Sequence, residues 1–208
     1  QTDPALGARS THLRSAIGGL YGRRLAAGDA LPLGATSDAA LGGPQRVLRT
    51  PLHRSVGPIR VISGPQAGHF DQAAWQQFLQ QPFTVSGSRD RMAQVLDGQK
   101  IVATGGHDIV SDGTVMGSIQ VPASGRPIIL MAERQTTGGY PKIATVSSFD
   151  LARLAQLPAG QDFLFRAISG EKAEELAVQA GERLKSVIAG LKKKTGLSPV
   201  KPWAGPTI

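Results

Sequence analysis

Two short apolar runs constrain this chain more than any other feature: Pro127-Ile128-Ile129-Leu130-Met131-Ala132 and Ile143-Ala144-Thr145-Val146. Between them lies Glu133-Arg134-Gln135-Thr136-Thr137-Gly138-Gly139-Tyr140-Pro141-Lys142. Apolar runs of this length, separated by a Gly-Gly turn, read as paired strands with a chemically loaded loop between them. The loop's glycines would let a backbone approach a ligand closely. No other stretch is as dense in polar chemistry.

The rest of the chain is cut into short segments. Residues 1–34 carry Gly18-Gly19 and Gly28-Asp29 turns, and Ala30-Leu31-Pro32-Leu33 reads as a short edge strand. This segment is too short to bury a core of its own, and it reads as the end of a domain that begins before Gln1. Residues 35–57 are rich in breakers and read as a linker. Ile59-Arg60-Val61-Ile62 opens a run of strands. Asp71 caps a helix to Gln81, with Trp75, Phe78 and Leu79 on one face and Pro82 as the stop; Trp75 reads as core packing. Phe83-Thr84-Val85 is a short strand, and Val95-Leu96 and Ile101-Val102 suggest a hairpin through Asp97-Gly98. Gly117 to Pro122 alternates as a half-buried strand does. A second helix is expected over 149–157 with Asp150 as its cap, then a strand over 163–168. A long amphipathic helix over 171–194 ends in Lys192, Lys193 and Lys194, whose charges would complement its dipole. The tail from Gly196 reads as extended. Short strands at regular spacing with small helices point to a mainly β fold, a closed β-barrel with short plugging helices and a C-terminal amphipathic helix. A parallel α/β sheet is the weaker alternative.

Composition narrows the chemistry. With no cysteine among 208 residues, disulfides, thiolate nucleophiles and cysteine-ligated metals are excluded. The longest apolar stretches are far shorter than a membrane span, and no secretory signal is visible, so a cytoplasmic protein is expected, with no membrane partner. The net charge of +8 clusters most clearly at Lys185 and Lys192 to Lys194. A solvated helix face explains that cluster better than a nucleic-acid footprint, and no nucleic-acid partner is expected.

No phosphate loop, dinucleotide fingerprint, HExxH or nucleophile elbow occurs. His12, His53, His69 and His107 stand isolated, so no metal site is expected. No residue is read as a nucleophile or assigned a catalytic role. The anion-binding candidates, Arg91, Arg134 and Lys142, lie on turns. Gln120, Gln135, Thr136, Thr137 and Tyr140 could orient an amide or ureido group through paired donors and acceptors. Arg91 has a second reading, a local ion pair with Asp90 or Asp112, and Tyr140 could be a buried ring with a satisfied hydroxyl.

Five segments carry a resemblance: Ser88-Arg89-Asp90-Arg91-Met92, Ser111-Asp112-Gly113, Gly117-Ser118-Ile119-Gln120-Val121-Pro122, Gly125-Arg126-Pro127-Ile128 and 135–143. With Gly7-Ala8-Arg9-Ser10-Thr11, they run in order over about residues 5–168. The chain resembles the allophanate hydrolase subunit 2 family, also described as KipA-like, as biotin-dependent carboxyltransferase, or as the 5-oxoprolinase C subunit. It departs from the family pattern at Arg89, at Ala93-Gln94 and at Ser111-Asp112.

The resemblance implies a cyclophilin-like barrel, with about a hundred residues of the family's N-terminal portion preceding Gln1. Residues 1–50 would end that subdomain, 51–170 would form the barrel, and 171–208 the helix and tail. It implies a subunit of a two- or three-component enzyme acting on a small amide or ureido substrate. The partner would be a KipI-like subunit 1, joined in the oxoprolinase case by a LamB/YcsF-like third subunit. No cofactor is expected on this chain alone; ATP or biotin would enter through the complex. Arg91, Gln120, Arg134, Gln135, Thr137, Tyr140 and Lys142 would bind substrate, and the chain alone would be inactive. The alternative is a non-catalytic regulator that binds and antagonises a KipI-like kinase inhibitor.

Overall fold

The computed structural model describes residues 2–32, 46–47 and 56–193. Most of the expected linker, Lys194 and the tail lie outside them. The chain forms two compact units, one of residues 1–47 with 192–208 and one of 48–191.

In the first unit β1 (Arg46–Val47) pairs antiparallel with β12 (Lys192–Lys193). Residues 2–32 are turns and isolated bridges, Ala5 to Ala8 and His12 to Ile17. Ala30 to Pro32 form no strand, contrary to expectation. The Arg23 guanidinium donates to both carboxylate oxygens of Asp29, at 2.9 and 2.7 Å.

The second unit holds β2 (Ile59–Ser63), α1 (Gln72–Gln80), β3 (Phe83–Arg89), β4 (Ala93–Gly98), β5 (Asp112–Gly113), β6 (Ser118–Gln120), β7 (Ile128–Leu130), β8 (Thr137–Gly138), β9 (Lys142–Val146), α2 (Ser148–Ala155), β10 (Asp162–Phe163), β11 (Phe165–Ala167) and α3 (Gly170–Ala189). Eight strands form one sheet in the order β10-β3-β4-β7-β6-β9-β2-β11. Its two end strands are consecutive in the chain, separated only by Leu164, whose carbonyl accepts from Ile59 N at 2.7 Å. The sheet is therefore a nearly closed, mainly β barrel, with three α-helices among the described residues. Within this sheet only the β11–β2 pair is parallel.

Its interior is filled by Ile59, Val61, Leu96, Ile119, Ile129 and Ile143, all essentially inaccessible to water. Helix α1 forms where the cap and stop residues place it: Asp71 Oδ1 accepts from Ala74 N at 2.8 Å. It drives Phe78 into the core, stacked on Phe165 at 4.5 Å and packed against Phe83. Each such buried aromatic contributes about 1.5–3 kcal/mol. Trp75 lies edge-on to Phe78 at the core's margin, as expected of a packing residue.

Several local expectations are corrected. The runs at 127–132 and 143–146 are not paired: β6 lies between β7 and β9 and pairs with both. Asp97-Gly98 ends β4 and turns no hairpin; the turn is Asp90 to Met92, where Asp90 Oδ1 accepts from Met92 N and Ala93 N. Ile101 and Ala103 are buried without being in a strand. The expected strand at 163–168 is split at Leu164. Asp150 is no cap. It lies inside α2, fully buried, and accepts from the Arg60 backbone at 2.9 Å and the Arg60 guanidinium at 2.7 and 2.8 Å. Helix α3 ends at Ala189, before Lys192 and Lys193, which lie in β12.

Candidate functional site

Because β6 separates the two apolar runs, the loaded loop has to cross it. The crossing passes over the end of β6, where the register with β9 shifts. Ser118 and Ile119 face Thr145 and Ala144, and then Gln120 faces Lys142. An irregularity of this kind re-aims a side chain. Here it sets two long polar residues side by side in the barrel wall, each about 2% exposed.

Lys142 Nζ donates to Asp112 Oδ2 at 2.9 Å. Gln66 Nε2 donates to the same oxygen at 3.1 Å. Gln66 is itself fixed on β9: its Oε1 accepts from Lys142 N at 3.2 Å, and its own N donates to Lys142 O at 3.3 Å. Gly64 makes this docking feasible, since a Cβ there would lie 2.2 Å from Lys142 O. Asp112 is different in kind, 49% exposed and on the two-residue strand β5. The bond from Lys142, then those from Gln66 and from the Gly113 amide, hold its carboxyl below the usual carboxylate range.

β5 pairs with β8, outside the barrel sheet, with Asp112 opposite Gly138 and Gly113 opposite Thr137. Thr114 N donates to Thr136 O at 3.0 Å, and Thr114 Oγ1 donates to Gln135 O. Gln135 Nε2 in turn donates to Gln120 Oε1 at 3.4 Å. That leaves Gln120 Nε2 buried with no partner among the described residues. Gly138 lies directly against it: a Cβ at that position would come within 2.3 Å of Nε2. A buried polar group left without a partner costs about 1–3 kcal/mol.

The structure thus brings together Gln120, Gln135 and Lys142, and it places Thr137 on the exposed ribbon above them. Arg134 is half-buried, with its Nε lacking a partner among the described residues. Tyr140 is exposed, not a buried ring. Arg91 stands apart, 71% exposed, in an ion pair of 2.7 Å with Glu133, neither Asp90 nor Asp112 being the partner. Sequence reasoning missed Gln66 and Thr114, and it saw Asp112 as a possible partner for Arg91 and as part of a turn motif, not as a site residue. The one signal for Gln66 was the Gly64-Pro65 turn before it.

Chemically the group is a set of fixed donors and acceptors: an ammonium, three amides, a carboxylate and a hydroxyl already committed to Gln135. It is built to hold and orient. Among the described residues, no cluster of three or more His, Asp or Glu could hold a metal ion.

A family model described as carboxyltransferase domain, subdomain A and B, matches residues 1–167. The chain belongs to this carboxyltransferase-domain family. It is 38% identical over 172 residues to the 5-oxoprolinase C subunit of Escherichia coli (strain K12), covering 82% of this chain and 54% of that protein. It is 39% identical over 172 residues to the 5-oxoprolinase C subunit of Haemophilus influenzae, covering 83% of this chain and 54% of that protein. The chain therefore spans about half the length of the curated relatives it matches. The K. lactis urea amidolyase structure superposes with a TM-score of 0.71 at 22% identity, covering 95% of this chain and 13% of that one. That likeness supports the fold. The family match also bears out the resemblance carried by the turn and loop motifs.

Proposed function

We propose that this chain is the substrate-holding part of a multi-subunit enzyme that opens 5-oxoproline, and that it works with a KipI-like subunit and a LamB/YcsF-like third subunit. The observation that carries the reading is the pairing at the β6–β9 register shift. A buried ammonium suited to a carboxylate stands beside a buried amide N–H that lacks an acceptor. 5-Oxoproline has one carboxylate and one lactam carbonyl, the two groups this pair would satisfy. The identity to the 5-oxoprolinase C subunits of two bacteria supports the choice of substrate.

In the reaction the lactam C–N bond breaks and water supplies the oxygen of the new carboxylate. A second water is consumed as ATP is hydrolysed to ADP and phosphate, and glutamate is released. This chain's residues hold the ring. Lys142 and Gln66 fix the carboxylate, Gln120 donates to the lactam oxygen, and Gln135 keeps Gln120 in that orientation. Lys142, buried and ion-paired, is a poor cradle for a triphosphate, so ATP binding is assigned to the partner subunits. The family's description as a carboxyltransferase domain favours a second reading, carboxyl transfer, with urea as the candidate acceptor. Biotin's ureido carbonyl fits the spare Gln120 N–H, and carboxybiotin, when bound, would supply the carboxyl group.

The test is copurification of the protein carrying this chain with its two partners, followed by ATP-dependent turnover of 5-oxoproline against urea plus carboxybiotin. Glutamate formation by the complex, and none by the chain alone, is expected. Full activity of the isolated chain, or turnover of urea only, would contradict the proposal.

A further inference from the structure

We propose that Asp112 is a built-in stand-in for the ligand's carboxylate, and that the β5–β8 ribbon is the cover that must withdraw it. This rests on the reading of the site as a holder of a carboxylate and an amide. Lys142 Nζ and Gln66 Nε2 converge on the single oxygen Asp112 Oδ2, from 2.9 and 3.1 Å. Two fixed donors aimed at one carboxylate oxygen are a carboxylate receptor. The donors and the acceptor differ in how they are anchored. Lys142 is buried in a central strand, and Gln66 is tied to its backbone at both ends. Asp112 is half-exposed, on a strand whose sheet partner is β8 alone.

Exchanging Asp112 for another carboxylate leaves the charge around Lys142 unchanged, and the released Asp112 moves into water that it already contacts. The same displacement acts on Gln120. Gly138, which covers Gln120 Nε2, faces Asp112 across the ribbon. Withdrawing the ribbon therefore frees the cationic cradle and uncovers the unpartnered amide together. The ligand class follows: a small molecule that carries a carboxylate and, beside it, a carbonyl acceptor. A lactam without the carboxylate has nothing with which to displace Asp112.

The test is calorimetric titration of the full chain and its Asp112→Asn variant with 5-oxoproline, acetate and 2-pyrrolidone. Asp112→Asn keeps the side chain's size and removes the competitor. 5-Oxoproline binding should tighten about tenfold, the gain expected if Asp112 fills the cradle about nine-tenths of the time. Acetate binding should become measurable and 2-pyrrolidone binding should stay within about twofold. Glu133→Gln, which removes an acid bonded to Arg91 and not to Lys142, controls for general electrostatics and should change 5-oxoproline binding by less than about twofold. The melting temperature of Asp112→Asn should fall and recover with saturating acetate. Should the variant unfold without ligand, recovery of its fold with acetate is the same readout.

If wild type binds 5-oxoproline and Asp112→Asn binds it no tighter, the stand-in is wrong and the substrate reading survives. If Asp112→Asn gains acetate but not 5-oxoproline, the stand-in holds and the lactam reading fails. If no ligand binds either protein, both are overturned.

Discussion

At the scale of single residues, burial separates Lys142 from Arg91. Both are cations on or beside turns, and the sequence offered no reason to rank them. Arg91 reaches Glu133 in solvent, a contact worth about 0–1 kcal/mol. Lys142 is enclosed, and its charge has to be matched. Lys142 and Gln135 were legible as candidates because they lie on one polar loop, and Gln120 because its amide stands in a strand motif of its own. Gln66 was not, since its bond to Lys142 spans 76 positions and exists only once the barrel is formed. Asp150 was legible as a helix-start residue and turned out to be a buried anion. Burial, the largest influence, pushes its carboxyl up, but the Arg60 hydrogen bonds and the fields of Arg153 and Arg60 together outweigh it, so the carboxyl titrates below the usual range. Its contribution to stability is therefore present above the ordinary carboxylate pKa and lost as pH falls through the lowered one. Asp150→Asn should destabilise the fold by about 3 kcal/mol at neutral pH, because Arg60 loses its counter-charge. Urea midpoints measured at about pH 7 and about pH 3 should also show a smaller acid-induced loss in the variant than in wild type. Equal acid sensitivity would contradict the assignment.

At the scale of elements, local signals were legible and pairing was not. Helix α1 carries its cap, its apolar face and its proline stop within a dozen positions, and the structure reproduces it nearly to the residue. The apolar runs now seen as β7 and β9 were also recognisable, yet nothing local shows that β6 inserts between them. That insertion creates the site, because it forces the loop across Gln120. Asp97-Gly98, a strong turn dipeptide, lost to the Asp90 turn, whose carboxylate accepts two backbone N–H groups. Gly138 is the crossing's tightest point. Gly138→Ala should push the Gln120 amide aside, costing about 1–3 kcal/mol of stability and most of the affinity for 5-oxoproline. Urea denaturation paired with calorimetry would check this, and unchanged binding would show that the crossing is not the ligand's cover.

At the scale of the whole molecule, the barrel and the family were legible through the order and spacing of the turn motifs, which the match over residues 1–167 supports. No helix of the described residues is long and apolar enough to cross a membrane. The chain spans about half of the 5-oxoprolinase subunits it matches. The proposed site would hold a ligand without supplying a nucleophile, which fits a part that acts within an assembly. The central claim is that Lys142 holds the substrate's carboxylate. Lys142→Met tests it with little risk to the fold, since an apolar side chain of similar volume replaces a buried charge and the half-exposed Asp112 stays hydrated. The decisive measurement is ATP-dependent 5-oxoproline turnover by the complex built from the protein carrying this chain. Lys142→Met should lower kcat/KM about a hundredfold or more, and Arg91→Ala should stay within about twofold of wild type. A Lys142→Met complex that turns over 5-oxoproline as wild type does would contradict the account.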